Sequence, residues 1–476
     1  MPRIDEHAVD STQNLVPPYA EGQKRDRWSR PSIPRDPAKI VEVPSTRDAI
    51  SDASALMHNL SFAPSMKDRR GSRNSFSTSL PIPRSPRLSR LSTASRPSTV
   101  KRDILASQIQ DLHKDKVEKV KNMAFAFDID GVLVHGSNPI QEGKDVLKIL
   151  NGDNELGIQF PYILLTNGGG KTEEARCQQL SEILEQPIST DQFIQSHTPM
   201  QALSEYYETV LVCGGEGYKI REVAQQYGFK NVIHPKDILA WDPTISPCRV
   251  FTDEERKHAQ PRDFSKVQFD AILCFAESFD AMTDLQIIND LLMSDNGRLL
   301  TRGPKGAEHI PIYFSQGDLL CPTEHKGPPR LHLGAFRLAV EAQYKATSGQ
   351  DLERVLYGKP ERATYIYADE VMKSWMEEIH QQNKLPKNIY MVGDNPASDI
   401  IGGNLYGWNT CLVRTGVFQG GENDEQNPAN FGVFPNVMHA VKSAIRKELG
   451  DDFGFKWEPK ISNPVLHGES SASAIE

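Results

Sequence analysis

The sequence contains no run of about 18 apolar residues, which leaves no candidate for a membrane-spanning helix. Cysteine is sparse: six residues (Cys177, Cys213, Cys248, Cys274, Cys321 and Cys411) lie far apart and form no CxxC pair. That spacing excludes a zinc ribbon and a disulfide framework, and predicts free, mostly buried thiols in a reducing compartment. Positive charge is in deficit too. The net charge of -9 over 476 residues argues against a general nucleic-acid binder. Apolar residues make up only 38% of the chain and mean hydropathy is -0.49, so part of it is expected to remain unfolded.

The shortage of apolar residues is concentrated at the start. From Ser65 to Arg102 there are ten Lys/Arg, ten serines and one acid, Asp68. Such a segment cannot bury enough apolar surface to offset chain entropy, and residues 1–105 are expected to be disordered. Three readings stand side by side: a solvated linker, a kinase target within residues 65–102 whose serines follow arginines, or an organelle-targeting segment. Asp5, Glu6, Asp10 and Glu21 speak against a transit peptide starting at Met1.

From Met123 the texture changes. Short apolar runs recur at 123–127, 161–165, 209–213, 269–275, 364–368, 389–393 and 410–415, each of strand length. Helix-like patterns such as 172-TEEARCQQLSEIL-184 lie between them. Alternation of this kind predicts an α/β fold with a parallel sheet, in which functional groups gather beyond the carboxyl ends of the strands. Three runs end in suitable residues: Asp128 and Asp130 in FDIDGV, Thr166 and Asn167 in LLTNGGG, and Asp394 with Asp399 in VGDNPASD. A lysine, Lys359, sits in the tight turn 357-YGKP-360.

Taken singly, each motif is most often a solvated turn or a helix cap. Together and in this order they form a chemical set. Asp128, Asp130 and Asp394 offer the hard oxygen donors that Mg2+ prefers, and a divalent cation makes a buried carboxylate cluster tolerable. The Thr166 hydroxyl, the amides around Asn167 and the Lys359 ammonium would supply donors to a phosphoryl group. A carboxylate can attack phosphorus, and a second carboxylic acid can protonate the leaving alcohol.

The four segments 126-AFDIDGVL-133, 163-ILLTNGG-169, 358-GKP-360 and 392-VGDNPASDI-400 resemble the motifs of the haloacid dehalogenase superfamily of aspartate-nucleophile phosphohydrolases. The long interval between Thr166 and Lys359 is similar to the subfamily with a large α/β cap inserted between its second and third motifs. Stretches 279–297 and 329–352 look most like the cat eye syndrome critical region protein 5 family. The resemblance runs from about Met123 to Arg446.

It implies a Rossmann-like core at 106–170 and 335–450, an inserted α/β cap at 171–334 and a flexible tail at 451–476. It also implies roles. Asp128 would be the nucleophile and Asp130 the general acid/base. Thr166 and the amides near Asn167 and Gly168 would bind phosphate, with Lys359 neutralising nucleophile and phosphate. Asp394 would complete a Mg2+ site with the Asp128 side chain and the Asp130 backbone carbonyl, and Asp399 would orient the loop or a metal-bound water.

Within the cap, 244–266 and 319–330 depart from the family, and Arg330 and His332 are candidates for contacting the substrate. The expected activity is hydrolysis of a small phosphate monoester, with a mitochondrial location and a link to glycerophospholipid metabolism implied by the family. A cytoplasmic location, a homodimer through the cap, and a regulatory protein acting through its basic tail remain alternatives. Carbon–halogen hydrolysis fits less well, because it requires no metal.

Overall fold

The computed structural model describes residues 99–455 apart from Cys248 and Lys326, with side chains from Gln110 onward. The serines of the 65–102 segment, most of the N-terminal region expected to be disordered, and the tail beyond Phe455 lie outside the described residues. One helix, Thr99–Lys121, already starts inside the stretch expected to be unfolded. Its sequence contains neither proline nor glycine, and it anchors through buried Val120 and a 2.8 Å ion pair from Lys116 to Glu155.

Two parallel sheets organise the chain. The first has six strands in the spatial order Gly432–Phe434, Asn409–Val413, Asn388–Gly393, Met123–Phe127, Tyr162–Leu165 and Phe193–Ile194. Its central strand shows why. In 123-MAFAF-127 alternate side chains face opposite sides. Met123, Phe125 and Phe127 pack into one core with the helices Gln141–Leu150 and Val437–Leu449. Ala124 and Ala126 face the other, where their small size leaves room for Tyr365, Met372 and Met376 of the helix Arg362–His380. Both faces are covered by helices, as a parallel sheet requires.

The second sheet has five parallel strands in the order Val355–Leu356, Ile312–Phe314, Ala271–Cys274, Thr209–Cys213 and Asn231–Ile233. Along the chain its strands fall between the third and fourth strands of the first sheet, Phe193–Ile194 and Asn388–Gly393. This is a Rossmann-like α/β fold carrying a second α/β unit.

Several elements sit differently from the sequence reading. The run 364–368 is helical, within Arg362–His380. Its buried residues Thr364, Tyr365, Ala368, Val371, Met372, Trp375 and Met376 follow helical spacing, which a five-residue window conceals. The helix Glu173–Leu184 packs with the first sheet through Cys177, Leu180 and Leu184, whereas the helix Leu333–Ser348 packs with the second through Leu333, Val340 and Tyr344. We therefore propose that the inserted unit spans roughly 198–357 rather than 171–334. The irregular stretch 319–330 forms an antiparallel ribbon, Leu320–Cys321 against Arg330–Leu331.

The five described cysteines are free, and all but Cys321 are buried. Among the described residues, no helix is long and apolar enough to cross a membrane.

Candidate active site

The polar residues that end the strands of the first sheet converge. Asp128 directly follows the central strand, and its amide continues the ladder by donating to the Val392 carbonyl at 2.9 Å. The chain then turns sharply: the amides of Leu133 and Val134 both donate to the Ile129 carbonyl. Gly131 makes the turn possible with φ of 91°. A side chain there would also collide with Asp394, whose Oδ2 would lie 2.6 Å from the added carbon. On the neighbouring strand, the Thr166 amide donates to the Ile194 carbonyl and the Thr166 hydroxyl accepts from the Gly168 amide at 2.9 Å.

Lys359 is the electrostatic centre. Only 1% exposed, its ammonium lies 2.6 Å from Asp128 Oδ1 and 2.7 Å from Asp399 Oδ1. Burial alone would lower the lysine pKa, but Asp128 and then Asp399 outweigh it and hold the group firmly protonated.

The turn that carries Lys359 is itself held by the Asn167 side chain. Asn167 Oδ1 accepts from the Lys359 amide at 2.7 Å, while Nδ2 donates to the Lys359 carbonyl and to Asp318 Oδ2, both at 2.9 Å. All three bonds are short, and the two to Lys359 are buried. The preceding Gly358 has φ of 75°, and a side chain on it would meet Asn167 Oδ1 at 2.8 Å. No substituted residue fits that position without displacing the amide.

Asp394 and Asp399 close the site. Asp394 Oδ2 accepts from the Val417 amide at 2.5 Å, and Asp399 Oδ2 accepts from the Asn395 amide at 3.0 Å. Carboxylate oxygens of Asp128, Asp394 and Asp399 lie within 4.8 Å of one another, all buried. Three carboxylates against one ammonium leave the cluster short of positive charge. Burial accordingly pushes Asp128 and Asp130 up, Asp394 well above the usual carboxylate range, and Asp399 to about 6. A hard divalent cation would match this donor set and its charge deficit.

These groups face one cavity of about 340 Å³, lined among others by Asp128, Asp130, Thr166, Asn167, Lys359 and Asp394. The second unit supplies part of its wall through Glu277, Asp318, Cys321 and His332. Glu277 forms an ion pair with His332. Burial would lower the histidine, but that pairing holds it above its ordinary value; burial would raise the glutamate, but the same partner keeps it low.

The sequence-derived residues thus meet, with two exceptions in detail. Arg330 is exposed on the ribbon and does not line the cavity, whereas His332, two residues on, does. The Asp130 side chain stands apart from the carboxylate cluster and faces Arg176, 3.7 Å away. Sequence reasoning passed over the Asn167 side chain, Asp318, Lys171, Arg176 and Glu277. A signal existed for one of them: Arg176 and Gln179 lie three apart, on one face of a helix that follows the Thr166 motif.

The chain is similar to known proteins. Residues 125–230 match the family model described as haloacid dehalogenase-like hydrolase, and residues 356–440 a model described as HAD-hydrolase-like. The first segment contains Asp128 and Thr166, the second Lys359 and Asp394. The chain is 41% identical over 348 residues to a mitochondrial hydrolase of Saccharomyces cerevisiae, covering 69% of this chain and 96% of that protein. It is 39% identical over 363 residues to a cardiolipin synthase (CMP-forming) / mitochondrial hydrolase fusion protein of Schizosaccharomyces pombe, covering 74% of this chain but only 59% of that one.

Among solved structures, a hypothetical protein of Pyrococcus horikoshii OT3 aligns over 68% of this chain and 99% of its own, at 20% identity and a TM-score of 0.45. With both halves of the site inside matched segments and nearly all of the budding-yeast relative covered, the chain belongs to the haloacid dehalogenase-like hydrolase family.

Proposed function

We propose that this chain is a Mg2+-dependent phosphatase acting on a small phosphorylated metabolite through an aspartyl-phosphate intermediate. The observation that carries the reading is the Lys359 ammonium held between Asp128 and Asp399 at the floor of a cavity shared with Asp130, Thr166 and Asp394. The ammonium in contact with Asp128 opposes the burial that pushes its carboxylate up, and so favours the ionised form that a nucleophile requires.

In the first step an Asp128 oxygen forms a bond to phosphorus while the bond to the ester oxygen breaks. Asp130, pushed up by burial, carries a proton to hand to that departing oxygen. In the second step the Asp130 carboxylate takes a proton from water, whose oxygen attacks phosphorus and frees Asp128 and inorganic phosphate. Thr166, the Gly168 amide and Lys359 hold the phosphoryl oxygens. Asp128, Asp394 and the Asp130 carbonyl would hold Mg2+, with Asp399 fixing Lys359 and the Asn395 turn. The cation would neutralise charge on the transferring group.

At about 340 Å³ the cavity is at the low end for ligand pockets, which suits a small metabolite. The ribbon residues over it would exclude bulk water. The names of the two yeast relatives support a mitochondrial location, and the fusion to a cardiolipin synthase supports a link to glycerophospholipid metabolism. The test is phosphate release from an aryl phosphate by the purified full chain. Release should require Mg2+, stop on chelation, and fall at least a thousandfold in Asp128→Asn. Undiminished activity in that variant would sink the assignment.

A further inference from the structure

We infer that the site contains a second anion-binding position, formed by Lys171 and Arg176, and that the substrate carries a further carboxylate or phosphate on the alcohol side of its ester. The inference rests on the phosphatase reading above for the position of the ester, and on separate observations for the cations.

Both side chains line the cavity that holds Asp128 and Thr166. Lys171 lies just past the Gly168–Gly170 loop, and Arg176 is in the first turn of the helix Glu173–Leu184. One uncharged acceptor gathers them: Gln179 Oε1 takes the Lys171 ammonium at 2.9 Å and Arg176 Nη1 at 3.0 Å. Two cations are thereby fixed side by side on one amide oxygen, an arrangement that raises their mutual repulsion and needs an anion to offset it.

The nearby acids do not offset it. Among the described residues Lys171 forms no ion pair. Arg176 has only Asp130, at 3.7 Å through Nη2. Glu173, on the same helix, is turned to the Thr198 hydroxyl at 2.7 Å and the Tyr227 hydroxyl at 2.5 Å. Glu216, which acts on Lys171 from a distance, is paired with Lys219 at 2.6 Å. The Lys171 pKa is accordingly lowered, by partial burial first and then by Arg176 and Lys219.

Arg176 also fixes the direction. Asp130 serves the departing oxygen, so a guanidinium beside Asp130 stands on the alcohol side of the ester rather than on the phosphoryl side. An anionic group on a short alcohol fragment would meet Arg176 and Lys171 there, and guanidinium suits carboxylate and phosphate equally. Simple alkyl or aryl phosphates would leave Lys171 without an ion-pair partner and Arg176 with Asp130 alone.

The experiment measures binding to the full chain in the presence of Mg2+, with phosphonates that cannot be hydrolysed. Phosphonoacetate and methylenebisphosphonate carry a second anion; ethylphosphonate does not. Charge-assisted bonds of this kind are worth about tenfold or more in affinity. The wild type should therefore bind at least one of the two probes with a second anionic group about tenfold or more tightly than ethylphosphonate, and the better of the two tells carboxylate from phosphate. Lys171→Ala should collapse that ratio, and Lys171→Arg should restore it, with thermal melts confirming that both variants fold. A wild-type ratio near one, or a ratio that survives in Lys171→Ala, overturns the inference. If the ratio behaves as expected but no phosphate monoester is ever turned over, the phosphatase reading fails and the anion position stands.

Discussion

Replacing Asn167 with alanine should damage the site without touching a charge. The side chain makes three hydrogen bonds, two buried ones to the backbone of Lys359 and a part-buried one to Asp318. Each bond contributes about 1 kcal/mol net, and each backbone group left unpaired costs about 1–3 kcal/mol in lost solvation. The Lys359 amide and carbonyl are both orphaned by the truncation, because the turn is buried and Lys359 is 1% exposed. The loss should fall near 3–5 kcal/mol, which for a chain of this size lowers the melting temperature by about 5 °C or more.

Hydrolysis should fall as well, by about tenfold or more in kcat/KM, because the ammonium is carried on the turn that Asn167 holds. Asn167→Asp sharpens the test. It keeps the acceptor for the Lys359 amide but turns both donors into an acceptor facing the Lys359 carbonyl and the Asp318 carboxylate. It should melt no higher than the alanine variant. An Asn167→Ala protein that melts within about 1 °C of wild type and keeps its activity would refute the reasoning.

Two further outcomes follow from the charge balance. Mg2+ at a hundred times its dissociation constant should raise stability by about 2.7 kcal/mol if it binds only the folded chain. Asp394→Asn should abolish that rise in thermal melts, and a Mg2+-independent melting temperature in the wild type would count against the carboxylate cluster as a cation site. His234, buried in the second unit, has its pKa lowered from 6.5 to about 3, by burial first and then by Lys236 and Arg221. The unfolded chain therefore takes up a proton that the folded chain refuses, and stability is lost as pH falls below 6.5. Asn can still accept the Lys236 amide that His234 Nδ1 accepts at 3.1 Å. Between pH 6.5 and 4.5 the wild type should lose about 2 kcal/mol more than His234→Asn in urea unfolding, and parallel pH profiles would contradict it.

The strand ends were legible in the sequence because a strand buried on both faces reads as a continuous apolar run, and its first polar residues mark the edge of the sheet. Asp128, Thr166 and Asp394 stand out for that reason. Lys359 is legible through its turn, since a glycine and a proline flank it.

What the sequence concealed depends on distance or on period. The Asn167 amide finds its partner 192 residues away, and no local pattern announces it. The helix Arg362–His380 opens with a segment of strand-like composition, and only its later turns show the helical repeat. The limits we propose for the inserted unit differ from those read in the sequence because two helices of similar texture, Glu173–Leu184 and Leu333–Ser348, pack on different sheets. Arg330 and His332, two residues apart, looked equivalent in the sequence. The fold exposes the first and turns the second into the cavity beside Glu277.

The claim that Asp128 itself receives the phosphoryl group is tested most directly by trapping. The full chain, mixed with Mg2+ and a radiolabelled phosphate monoester and quenched in acid within a turnover, should carry label on one peptide. Borohydride reduction should then convert Asp128, and no other carboxylate, to homoserine. Steady turnover with no labelled protein, or with the label on a different residue, would contradict the account.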